Sequence, residues 1–206
     1  MSDPAPGAAT GASSDRAARR ARGGRIEVIC GCMFAGKTGR LIERLLAAQA
    51  RGQQVVAFKH TLDRRYAPGE LATHDERHFP ATALADPALI ESRLGRAEII
   101  GIDEAQFFGL PLVAVCQRLR AAGREIIAAG IDYDTWGRPF SPLPELRAIA
   151  DDVELMDTPC RVCGSPARFS QRMVPVVDGQ MVGGPQEYEP RCAACFVPWS
   201  GPPEER

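Results

Sequence analysis

The chain has 206 residues, 45% of them apolar, and a formal net charge of −1. That length allows one ordinary domain and a small appendage, and the charge supplies no global positive field to draw the protein to nucleic acid. No apolar run approaches the roughly 18 residues a membrane helix needs, and the N-terminus lacks the apolar stretch of a secretory signal.

Residues 1–23 are rich in Ala, Gly, Ser and Arg without hydrophobic period, and predict a disordered tail. Arg25–Cys30 reads as a first strand, and residues 38–50 carry Leu41, Leu45 and Leu46 at helical spacing. Residues 54–59 read as a second strand, so strand, helix and strand form a βαβ unit with parallel pairing. Residues 63–80 are polar, contain Pro68 and Gly69, and predict a loop over one edge. A short helix is expected over 86–94, capped by Asp86, followed by a strand over 98–103. A helix over 110–122 stops at Gly123, and strand 125–131, helix 144–150 and strand 153–156 complete the alternation. Beyond residue 158 cysteine pairs, Pro and Gly replace it. The expected organisation is therefore an α/β domain over 24–157, a metal-stapled lobe over 158–198 and a short tail over 199–206.

Three groups of residues carry chemistry. Gly31-Cys32-Met33-Phe34-Ala35-Gly36-Lys37-Thr38 fits the phosphate-loop pattern between an apolar strand and an amphipathic helix. Glycine lets backbone N–H groups converge on phosphate oxygens, and the helix N-terminus adds its dipole. Lys37 is expected on the β- and γ-phosphates of ATP and Thr38 on Mg²⁺. The strand over 98–103 ends in Asp103 and Glu104, where ligands of open parallel sheets bind. Asp103 is expected near Mg²⁺, and Glu104 is free to take a proton from a substrate hydroxyl. Cys160-x-x-Cys163 and Cys192-x-x-Cys195 have the spacing of a structural Zn²⁺ site with no open position. The 28 residues between the pairs form a loop pinned at its base, suited to lie over a substrate. Seven cysteines without a secretory signal point to a reducing, cytoplasmic setting rather than a disulfide framework.

Together these segments resemble the type II, cytosolic-type thymidine kinases. The resemblance rests on the phosphate loop with Met33-Phe34 inside it, on residues 100–108 (IGIDEAQFF), on Asp63-Arg64-Arg65-Tyr66 and Thr73-His74-Asp75, and on Gly183-Gly184, Tyr188 and Cys192. It implies a P-loop, RecA-like parallel sheet with a zinc-binding lasso, and phosphoryl transfer from Mg·ATP to the 5′-hydroxyl of thymidine with Glu104 as general base. Asp63, Arg64, Arg65, Ala105 and Gln106 would join the phosphate loop around ATP. Met33, Phe107, Phe140, Gly179, Gln180, Met181, Val182, Gly183 and Tyr188 would hold the nucleoside, and the protein would be a homotetramer. Three departures stand out. Cys32 and Ala35 replace the usual Pro and Ser. Ala105 replaces a Gly and would be strained at positive φ. An aromatic that meets the nucleoside falls at Thr135, with Trp136 one place later, so either Trp136 takes over or the pocket is altered. Two rival readings remain from the sequence: a P-loop ATPase whose zinc knuckle binds nucleic acid, and a kinase retuned to another deoxynucleoside.

Overall fold

The computed structural model describes residues 23–63, 69–73, 76–175 and 183–200. Residues 1–22 and 201–206 of the expected tails, and Arg64, Arg65, Tyr66, His74, Asp75, Gly179, Gln180, Met181 and Val182, lie outside them.

The strands β1 (Arg25–Cys30), β2 (Val55–His60), β5 (Thr82–Leu84), β6 (Ile99–Asp103), β7 (Glu125–Gly130) and β8 (Asp152–Leu155) form one parallel sheet in the order β5-β2-β6-β7-β1-β8. One strand, β7, therefore separates the strand that feeds the phosphate loop from the strand that ends in Asp103. Successive side chains leave a strand on opposite faces, and both faces are apolar. Ile26, Val28, Ile100, Ile102, Ile126 and Ala128 pack against Leu112, Val115 and Leu119 of α3 (Pro111–Ala121) and Leu143 and Leu146 of α4 (Leu143–Ile149). Ile29, Ile99, Ile127 and Ala129 pack against Leu41, Ile42 and Leu45 of α1 (Lys37–Ala50). The apolar spacing that predicts α1 is thus the stripe that seats it on the sheet. Each fully buried Ile or Leu contributes roughly 1.5–3 kcal/mol of burial, which holds the C-terminal strand ends in register.

Two expectations need correction. The stretch read as a loop over 63–80 contains an antiparallel hairpin, β3 (Glu70–Ala72) with β4 (His78–Pro80), and β5 after it adds an unforeseen edge strand. Strands of three residues are too short to show a period. The helix expected over 86–94 contracts to α2 (Leu89–Arg93), because Asp86 accepts from the Ala88 N–H at 2.9 Å and caps a turn before it.

Past β8 the chain forms two small antiparallel pairs, β9 (Thr158–Pro159) with β10 (Pro166–Ala167), and β11 (Phe169–Arg172) with β12 (Tyr188–Arg191). Among the described residues no helix is long and apolar enough to cross a membrane.

Candidate active site

The phosphate loop leaves the C-terminal end of β1 and closes on α1. Gly31 has φ 151°, and a Cβ there would lie 2.2 Å from the Met156 carbonyl oxygen, so only glycine lets the loop begin. The Lys37 ammonium folds back to donate to the Cys32 carbonyl at 2.7 Å. Thr38 Oγ1 donates to Asp103 Oδ2 at 2.9 Å, which ties the loop to the end of β6. This hydroxyl–carboxylate pair is the donor set a hard divalent cation would use beside a bound nucleotide phosphate.

Glu104, the next residue, is buried and takes a left-handed backbone, φ 52° and ψ 43°. Such a conformation costs a non-glycine residue about 1–3 kcal/mol and clusters at functional sites. Ala105 instead opens the 3₁₀ turn over Ala105–Phe108 without positive φ, so the strain foreseen for it falls on Glu104. Gln106 fixes that carboxylate: its Nε2 donates to Glu104 Oε2 at 2.5 Å, while its Oε1 accepts the Ile131 N–H at 3.1 Å. The amide thus bridges Glu104 to the end of β7 and is spent on positioning. Asp63 is buried beyond the end of β2, its carboxylate 3.6 Å from the buried Lys59 ammonium. His60 packs against Phe107 and Phe108, and burial lowers its pKa.

Beside the phosphate loop is a mainly apolar pocket lined by Met33, Phe107, Ile131, Tyr133, Asp134, Thr135, Phe140, Ser170 and Tyr188. Met33, Phe107, Thr135, Phe140 and Tyr188 were expected at a nucleoside. Ile131, Tyr133, Asp134 and Ser170 were not: the first three are near neighbours of Thr135 along the chain, and Ser170 arrives only when the lobe docks. Trp136 is absent from this lining: its ring carries the Arg138 guanidinium 4.8 Å from its centroid. The aromatic wall comes from Tyr133 instead, which packs on Phe169 at 4.9 Å. Asp134 sets the path of this loop by accepting from the N–H groups of Trp136 and Arg138, each at 2.9 Å.

The C-terminal lobe closes the pocket from the other side. Ser170 Oγ accepts the Met33 N–H at 3.0 Å, and Cys32 Sγ lies 3.5 Å from the Ala167 carbonyl. Arg168 donates to Asp132 Oδ2 at 2.6 Å, and the Arg172 guanidinium donates to the Tyr188 hydroxyl at 2.6 Å. Gly183 sits against the Tyr188 ring, where a Cβ would come within 2.9 Å.

The sulfurs of Cys160, Cys163, Cys192 and Cys195 lie within 4.8 Å of one another. A tetrahedral tetrathiolate ion needs sulfurs about 4 Å apart, so the four side chains fit one metal ion. Burial pushes the thiols of Cys30 and Cys32 up to about 11 and that of Cys116 up to about 12. Those three are protonated at neutral pH and are not nucleophiles.

Known proteins with similar sequences show the family. The family profile described as thymidine kinase matches residues 24–196. A thymidine kinase of Rhodothermus sp. (strain ITI 518) is 44% identical over 175 residues, 85% of this chain and 82% of that protein. One from Bacteroides thetaiotaomicron is 41% identical over 185 residues, 90% and 93% of the two chains. One from Halobacterium salinarum (strain R1) is 40% identical over 187 residues, 84% and 94%. The chain belongs to the thymidine kinase family.

Proposed function

We propose that the protein transfers the γ-phosphoryl group of ATP to the 5′-hydroxyl of thymidine. The observation that supports this most is the double use of one loop. Residues 31–38 make the anion cradle, and Met33 within it lines the apolar pocket. A nucleoside seated there has its sugar end toward the phosphate loop and toward Glu104. Lys37 neutralises the charge that develops on the transferred group, and Thr38 and Asp103 hold the magnesium that accompanies ATP. Glu104, locked by Gln106, accepts the hydroxyl proton. In this reading Asp63, Arg64 and Arg65 act on the phosphates, and residues 179–183 with Tyr188 bind the nucleoside. Four thiolates leave an ion no open position, so the lobe's metal is a structural Zn²⁺. The working protein is a cytoplasmic homotetramer.

Glu104→Gln tests the assignment. It keeps the shape and the Gln106 contact while removing the base. ATP affinity should persist while kcat falls about 10²–10⁴-fold. Near-normal turnover in that variant refutes the role. A panel of deoxynucleosides with labelled ATP tests the substrate: thymidine monophosphate is the expected product, and ATP consumed without a nucleotide product refutes the kinase reading.

A further inference from the structure

Among the described residues, the pocket holds a buried polar atom that makes no hydrogen bond, the Thr135 hydroxyl. Thr135 is only 2% exposed, yet its Oγ1 has no hydrogen-bond partner among the described residues. Three polar side chains beside it, Asp134, Ser170 and Tyr188, are already engaged. The Asp134 carboxylate takes the Trp136 and Arg138 N–H groups and the Arg138 guanidinium. Ser170 takes the Met33 N–H, and the Tyr188 hydroxyl takes Arg172. A buried hydroxyl left unpaired is costly and uncommon in a settled fold.

Thr135 is also held in place. Its carbonyl accepts the Trp199 N–H at 3.1 Å. The residues on either side of it are tied by the Asp134 side chain to the Trp136 N–H and by the Gly137 N–H to the Asp134 carbonyl at 3.0 Å. Gly137 has φ 76° and lies against the Phe196 ring, where a Cβ would come within 2.9 Å. A fixed backbone, an apolar surround and one unspent hydroxyl are how a binding pocket reads a single polar atom.

Resting on the proposed nucleoside kinase activity, we infer that Thr135 determines specificity: its hydroxyl hydrogen-bonds a polar edge atom of the bound pyrimidine base. The bond exists only with the base in place. Among the described residues the hydroxyl has no partner in the free protein and the complex supplies one, so binding gains what folding gave up.

The sign of two readouts tests this. Thr135→Val keeps the side-chain shape and deletes the hydroxyl. It should lower kcat/KM for thymidine about tenfold, the worth of one neutral hydrogen bond. The KM for ATP should stay where it is, and the melting temperature of the ligand-free protein should stay level or rise. Thr135→Ser, which restores a hydroxyl, should recover most of the loss. A Val variant within twofold of wild type toward thymidine overturns the inference. So does a Val variant that melts well below wild type, because the hydroxyl would then have a partner in the fold, and so does an equal loss in the Ser variant. If the wild-type protein phosphorylates no pyrimidine nucleoside, the kinase reading and this inference fall together. An active wild type with an indifferent Val variant removes this one alone.

Discussion

The sheet and the C-terminal lobe are built on different physics, and the candidate site lies where they meet. In the sheet, β1, β6 and β7 are buried along nearly their whole length, and two apolar clusters clamp them between helices. Among the described residues of the lobe, strands of two to four residues pair only in twos. Its small buried cluster is Cys160, Ala167 and Cys192, completed by Cys32 and Ala35 of the phosphate loop. The first region is stabilised by area removed from water. The second depends on four converging cysteine sulfurs, an ion pair and a stack of Phe169 on Phe196 at 4.5 Å. The lesson is that the lobe, too small to fold on its own burial, borrows the phosphate loop as part of its core and in return fixes that loop's shape through Ser170 and Ala167.

Removing the Zn²⁺ proposed for the lobe breaks the comparison most severely. Structural zinc contributes on the order of 10 kcal/mol of apparent binding free energy, far more than the lobe's buried area can replace. Chelation should open residues 158–200 to protease first and leave the sheet folded. Because Met33 and Cys32 lean on the lobe, affinity for a fluorescent ATP analogue should fall along with thymidine turnover. Equal loss of sheet and lobe signals in one transition would show the two regions to be a single unit.

A cavity in the sheet should do the reverse. Ile100 is fully buried between β2 and β7. Ile100→Ala should cost about 2–5 kcal/mol of global stability, read by urea denaturation. The metal content of the folded protein should not change.

Legibility in the sequence divides along the same line. The strands and helices of the sheet were readable because burial on both faces leaves continuous apolar runs and α1 leaves a helical stripe. The phosphate loop, Asp103 and Glu104 were readable because each motif is contiguous. The edge elements β3, β4 and β5 were not, since three residues carry no period. The pocket was half readable: Met33 and Phe107 lie within the motifs, whereas Tyr133 and Ser170 meet only after the lobe docks. The choice between Trp136 and Tyr133 depends on a loop path set by the Asp134 carboxylate and Gly137, and no spacing rule encodes that path. Gln106 reads as a member of a nucleotide-binding block, but its tie to Ile131 is visible only once β7 lies beside β6.

The docking of lobe on sheet can be loosened without touching either interior. Arg168 is the lobe's ion-pair link to Asp132, whose side chain is almost wholly buried. Arg168→Met keeps an apolar stem and strands that carboxylate. With Arg168 itself about a third exposed, water can partly compensate, so the expected cost is about 1–3 kcal/mol. It should appear as a raised KM for thymidine and faster proteolysis of the lobe, with the melting of the sheet little changed. A raised KM for thymidine with no change in lobe proteolysis would place Arg168 in the pocket chemistry instead of the docking.

The smallest expected effect is a pH dependence on the sheet side. Burial against Phe107 and Phe108 depresses the His60 pKa, opposed by a hydrogen bond to the Ala85 backbone. An unfolded histidine takes up its proton near pH 6.5, while the folded one resists it. The unfolded state therefore binds more protons in the window below about 6.5, and stability falls as the pH drops through that window. Above it the residue is neutral in both states and contributes no slope. His60→Asn keeps an acceptor for the Leu62 N–H, which His60 Nδ1 now takes at 3.1 Å, and cannot titrate. The variant loses ring packing and should be less stable at pH 8, so the informative quantity is the slope. Between pH 6.5 and 5 its denaturation midpoint should fall less steeply than that of the wild type. Parallel slopes would mean that the sheet's acid sensitivity arises elsewhere.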